Sequence, residues 1–223
     1  LVAAAASALL FNRKAGIVLL HIGLAGLMVN ELYVTYTNDE TRMSMTEGET
    51  ATTAIDVRAT ELVIIDQSDP ATDRIIAIPE SRFASGTPVD DPRLPFVIEC
   101  TAFYDNSDIK RSMTPDESTE GLGQRFSISP LPANTGSEID LAGAQVTLTR
   151  RDGESLGRWQ LSQLLYQQGL VDEVAVDDRT YKIGLRFKTE YKPYAIKLKD
   201  VSATYYTGTK TPETFASVVE VMA

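Results

Sequence analysis

Residues 15–29 (AGIVLLHIGLAGLMV) carry one polar side chain, His21. Continued through Leu32, Tyr33, Val34 and Tyr36, the segment 15–36 rises roughly 33 Å as a helix, enough to cross a hydrocarbon core of about 30 Å. A run this long and this apolar reads as a transmembrane helix. The basic pair Arg13 and Lys14 precedes it, which also fits a signal peptide. No clean small-x-small cleavage site follows Val29. Tyr33 and Tyr36 suit an interfacial aromatic belt, and a second apolar run, 1–11 (LVAAAASALLF), precedes the basic pair. A retained helix therefore fits better than a cleaved signal.

The chain opens on Leu, and residues 1–11 read as the end of a preceding transmembrane helix, with 12–14 as a cytoplasmic basic loop. Basic loops stay on the cytoplasmic side. The helix 15–36 then carries residues 37–223 to the extracytoplasmic side. In a bacterium that is the periplasmic face of the inner membrane.

Residues 37–223 read as β-rich. Short apolar or alternating runs recur between turn signals, at 42–46, 61–66, 74–78, 95–105, 124–129, 144–150, 157–161, 173–176, 180–188, 195–206 and 217–222. Asp152-Gly153 and Asp177-Asp178 mark hairpin turns. Residues 161–168 read as a short helix closed by Gly169, and 106–123 as a polar, mobile loop. The expected fold class is a membrane-anchored, mainly β protein: an N-terminal transmembrane helix followed by an antiparallel β-sandwich or barrel-like extracytoplasmic domain.

Composition narrows the chemistry. The chain has 21 Lys and Arg against 31 Asp and Glu, a net charge of −10, which argues against a phosphate-tracking nucleic-acid binder. One Cys excludes an internal disulfide, a Cys-rich zinc site and a CxxCH haem-attachment motif. One His excludes a His-cluster metal site built by this chain alone. There is no GxSxG, HExxH or GxxxxGK[ST] motif. The acid excess lies in residues 37–120, which hold 18 acidic and 7 basic residues. Residues 179–210 hold 8 basic and 2 acidic residues. That basic stretch could face lipid head groups or haem propionates. Locally, Lys197 and Lys199 alternate with Ile196 and Leu198, the pattern of a solvated strand face.

His21 is the residue with chemical potential. A polar ring in hydrocarbon must find a partner, face a bundle interior or bind something. Neutral imidazole is a common haem axial ligand, and it can equally hydrogen-bond between helices. Gly16, Gly23, Ala25 and Gly26 give small surfaces for close approach of a helix or a flat macrocycle. Met28 lies one heptad away on the same face, so a second axial ligand would come from elsewhere. Asn30 and Glu31 lie some 14 Å further along the helix, where an acidic side chain is ordinarily just solvated. Cys100 falls in phase with Ile98 and Ala102 and reads as a small buried hydrophobe. Trp159 reads as core. The acidic pairs Asp90-Asp91, Asp172-Glu173 and Asp177-Asp178 lack EF-hand spacing and read as turns and solvated edges.

Two stretches resemble one family. The first is Arg13-Lys14-Ala15-Gly16-Ile17-Val18-Leu19-Leu20-His21-Ile22-Gly23-Leu24, followed by Met28, Glu31 and Met45-Thr46-Glu47-Gly48-Glu49. The second is Tyr191-Lys192-Pro193-Tyr194-Ala195-Ile196-Lys197-Leu198-Lys199-Asp200-Val201, continuing through Tyr206-Thr207-Gly208-Thr209 to Pro212, Phe215 and Ser217. Together they resemble the ResB family of system II cytochrome c biogenesis. The resemblance implies a non-catalytic subunit working with a CcsA-type haem-handling membrane protein. It would assist haem delivery across the membrane and hold apocytochrome c for haem attachment. His21 matches the family's helix His, implicated as a transient axial ligand of haem iron. The family places a further transmembrane helix after the large domain, so the chain reads as a central part of such a protein. The competing expectation, from the residues alone, is a membrane-anchored β-sandwich serving as a binding or structural module of the cell envelope.

Overall fold

The computed structural model describes residues 14–37, 40–69, 71–135 and 138–222. The expected helix end at 1–11, with Asn12 and Arg13 of the basic loop, lies outside the described residues. Two compact units divide the chain, residues 1–40 and 41–223.

The first unit contains helix α1, Ala15–Thr37. Apolar side chains occur all round it, so it has no polar face to turn to water. Leu20, Leu27, Met28 and Val29 are all exposed. Residues 16–37 form the one described helix long and apolar enough to cross a membrane, a property shared by anchors and signal sequences.

The second unit is mainly antiparallel β-sheet. Its strands are β1 (Thr50–Asp69), β2 (Thr72–Pro79), β3 (Phe96–Tyr104), β4 (Ser107–Arg111), β5 (Phe126–Pro130), β6 (Gly143–Arg150), β7 (Ser155–Ser162), β8 (Asp172–Val176), β9 (Arg179–Tyr205) and β10 (Pro212–Met222). A five-stranded sheet runs β10-β9-β1-β2, with β8 also paired to β9. A three-stranded sheet runs β3-β6-β7, and β4 pairs β5.

One apolar core joins the two larger sheets. Leu62, Ile64, Ile76, Ile183 and Leu185 from the first meet Phe96, Ile98, Val146, Leu148 and Trp159 from the second. Phe96 lies edge-on to Tyr181, ring centroids 5.6 Å apart. Alternation explains which residues enter: on β6, Ala144, Val146 and Leu148 are buried while Gln145 and Thr147 are half-buried. The other face of β9 is covered by the one-turn helix α2 (Gln163–Gln167), with Ser162 accepting from the Leu164 N–H as N-cap. Gly184 is required there. A Cβ at that position would stand 2.6 Å from the Tyr166 ring.

Several sequence expectations change. Residues 42–46 form no strand; only Arg42 bridges to Ile55. Residues 106–123 contain β4, paired with β5 from Ser107–Pro130 to Arg111–Phe126, so the polar stretch is partly ordered sheet. Its polarity misled because β4 is a short strand whose last two residues are exposed. The separate strands expected at 180–188 and 195–206 are one 27-residue strand, β9. Pro193 does not break it, because β1 pairs with Tyr191 and Ile196 but skips the residues between. The Asp152-Gly153 and Asp177-Asp178 turns do join β6 to β7 and β8 to β9, with Gly153 and Asp177 both at positive φ.

Candidate functional site

His21 lies in the middle of α1. Its Nδ1 is 2.8 Å from the Ile17 carbonyl oxygen, one turn back. A carbonyl oxygen only accepts, so Nδ1 carries the proton. In a neutral ring the lone pair then sits on Nε2, pointing away from the backbone. The helix thus fixes the tautomer of the imidazole. Among the described residues, no three His, Cys, Asp or Glu side chains converge as a metal cage. Gly16, Gly23 and Gly26 have nothing within 4 Å of where a Cβ would be, leaving their surfaces open to a planar group or another helix.

The second resembling stretch forms one structural object. It is a β-ribbon made of the distal half of β9, a tight turn, and β10. Gly208, at φ +73, supplies the left-handed turn residue. The Tyr206 carbonyl accepts from both the Thr209 N–H and its hydroxyl, each at 3.0 Å. The Thr209 hydroxyl in turn accepts from the Thr211 N–H at 3.2 Å. Pro212 opens β10, where its missing N–H costs least. These residues have local hairpin-forming roles, independent of any ligand.

The pairing register sorts the ribbon into two faces. Ile196, Leu198, Val201 and Ala203 stand opposite Val221, Val219, Ser217 and Phe215. Residues 215, 217, 219 and 221 share one face of β10, so this face is apolar. The other face pairs Lys197 with Glu220, Ser202 with Ala216 and Thr204 with Thr214. Lys199 reaches Glu220 at 2.9 Å, and the Thr204 and Thr214 hydroxyls lie 2.6 Å apart. The register shift between Val218 and Val219 leaves Lys199 as an extra residue on β9. Such a bulge re-phases the strand. Without it, Val201 and Ala203 would fall on the polar face.

A charged cleft of about 500 Å3 opens on the second unit, lined by Arg42, Arg58, Glu80, Asp105, Asp140 and Phe187 among others. The register shift between Asp56 and Thr60 of β1 leaves Val57 and Arg58 out of the ladder at its wall. Burial, aided by the Asp105 carboxylate, holds the Glu80 carboxyl above its usual range. Two guanidinium groups stand among four carboxyl groups, Glu80, Asp105, Glu138 and Asp140, so acidic side chains outnumber basic ones in its wall.

The remaining candidates have structural roles. Cys100 is half-buried against the core, and burial pushes its thiol up, away from reactivity. Trp159 is core, and its Nε1–H donates to the Leu156 carbonyl at 3.0 Å. Asp91 is buried, not solvated. It accepts from Arg93 Nε at 2.8 Å and Nη2 at 2.7 Å, and these bonds hold its carboxyl well below the usual range. Asp177 pairs with Arg150.

Asp172 corrects the expectation of a solvated edge most clearly. It is 4% exposed. Its carboxylate accepts the Leu122 N–H at 2.6 Å and packs where a Cβ on Gly121 would collide with it. Burial pushes its pKa up to about 6. The folded chain therefore holds this proton more tightly than the unfolded chain. The cost of the buried carboxylate is absent at about pH 4 and below, grows as pH rises toward 6, and is fully present above 6. Asp172→Asn keeps an acceptor for Leu122 without the charge. Urea unfolding should show it up to about 2 kcal/mol more stable than the parent at pH 8 and no more stable at pH 4. An equal difference at both pH values would refute the assignment.

No protein-family model and no curated protein matches this chain.

Proposed function

We propose that the chain is a membrane-anchored, non-catalytic subunit of cytochrome c maturation. In this reading α1 is retained in the inner membrane and the β-rich unit stands on the periplasmic side as a two-sheet sandwich. The carrying observation is His21: one imidazole at mid-span, with Nδ1 tied to the Ile17 carbonyl and Nε2 left to act as a ligand. Haem supplies an iron that needs axial ligands and a flat apolar macrocycle that suits an apolar helix face. His21 would hold it transiently in transit, while a CcsA-type partner supplies further haem-handling groups. The β-rich unit would keep apocytochrome c in place for attachment. The resemblance of the two stretches to the ResB family supports this reading; residues 15–24, Met28 and Glu31 of the first fall on α1, residues 45–49 fall in a turn before β1, and the second falls on β9, its turn and β10.

The test uses the complete protein purified with its partner. His21→Ala is expected to lose the axial-ligand signature in the haem spectrum and to cut cytochrome c maturation by roughly tenfold or more. Added imidazole should restore part of both, which a packing role would not allow. Unchanged haem content and spectrum in His21→Ala would end the ligand role. A second reading, an envelope binding module with His21 as a helix-packing residue, draws on the exposed apolar face of the ribbon. It predicts weaker helix association and normal cytochrome maturation in the same variant.

A further inference from the structure

The ribbon's apolar face is covered at Leu198, which is 6% exposed beside Gly48 and Glu49, but its outer part is open among the described residues. Phe215 is 75% exposed, and Val201, Val219 and Val221 are exposed beside it. The chain's exposed tyrosines, among the described residues, have a selective distribution. Tyr104, Tyr166 and Tyr181 of the β-rich unit's body are buried or half-buried. Every exposed one lies at the end of α1, at Tyr33 and Tyr36, on β9 just before the ribbon, at Tyr191 and Tyr194, or at the ribbon tip, at Tyr205 and Tyr206. Tyrosine concentrates at the water–hydrocarbon boundary because its ring is apolar and its hydroxyl stays wet. The ribbon tip also departs from the chain's charge. Residues 201–212 contain no acid and one base, Lys210, in a chain of net charge −10.

From these observations we infer that the tip and apolar face of the β9–β10 ribbon rest in the interfacial layer of a lipid bilayer. The inference rests on the anchor reading above, which keeps the unit at a membrane surface and so raises the effective concentration of lipid. An amphipathic element binds there by sinking its apolar side to the headgroup–acyl boundary while its polar side stays in water. The polar side here carries Lys197, Lys199, Asp200, Ser202, Thr204 and Glu220, with Val218 the one large apolar side chain exposed among them. Residues 41–223 hold 19 basic and 28 acidic residues, a net of −9. Anionic head groups therefore repel the unit as a whole, and the attraction is apolar, to a neutral bilayer, persisting in high salt.

The core side chains all belong to residues 62–185, so the unit 41–223 carries the core that folds it. That unit should pellet with neutral phosphatidylcholine vesicles. Tyr205→Ser/Tyr206→Ser/Phe215→Ser should lower partitioning by roughly tenfold or more with an unchanged melting temperature, since all three side chains are exposed. Absence of vesicle binding by the folded parent overturns the proposal. So does equal binding by the triple variant. A lipid-free dimer that the triple variant dissociates overturns it too, assigning the face to a second copy. Alkaline carbonate extraction of the full-length chain carrying the triple substitution tests the anchor separately. Release of that chain with intact vesicle binding by the parent unit would sink the anchor and leave the ribbon.

Discussion

Arg186→Leu should destabilise the β-rich unit by about 3–5 kcal/mol, the cost of orphaning a buried charge. Glu61 and Arg186 stand opposite each other in the β1–β9 ladder. Their side chains are 8% and 15% exposed, and Arg186 Nε meets Glu61 Oε1 at 2.7 Å. The same oxygen accepts the Thr189 N–H at 3.3 Å. Without Arg186 the carboxylate keeps, among the described residues, that long bond alone in a largely buried site. Glu61→Leu/Arg186→Leu removes both charges and should cost far less than the single change, because apolar side chains replace a desolvated pair. A double-mutant cycle by urea unfolding decides the matter. A single-variant loss under about 1 kcal/mol would mean that the pair behaves as a surface ion pair.

Phe96→Ala should cost about 3–5 kcal/mol, as expected for emptying a fully buried aromatic site. Phe96 is inaccessible to solvent and bridges the sheets, packing from β3 onto Tyr181 of β9. Phe215→Ala, the same chemical change on the ribbon, should fall within about 0.5 kcal/mol of the parent. Thermal or denaturant unfolding of the pair contrasts the two phenylalanines directly. A small loss at Phe96 would mean that the two sheets do not depend on one core.

Much of the β-rich unit was legible from alternation and turn chemistry. Strict apolar phasing marked β6, and Asp152-Gly153 marked the hairpin that follows it, because period and positive φ are local properties. β4 was not legible. Its sequence, Ser107-Asp108-Ile109-Lys110-Arg111, carries a single apolar residue, and only its pairing with β5 makes it a strand. Asp172 reads in sequence like any acidic turn residue. Its burial comes from Gly121 and Trp159, fifty-one and thirteen residues away, which no local pattern announces. The Glu61–Arg186 pair is separated by 125 residues and arises from register alone. His21 stood out in sequence because a polar residue in a long apolar run is conspicuous. Which ring nitrogen is left open followed only from the helical contact with Ile17.

By itself the sequence determined that an apolar helix with one imidazole precedes a β-rich unit, because length, hydropathy and period are carried by neighbouring residues. The tertiary structure alone decided which acids are buried and which face of the ribbon is apolar. The ribbon is the plainest case: Val201 and Ala203 change face on one extra residue, Lys199, whose effect exists only once β9 is in register with β10.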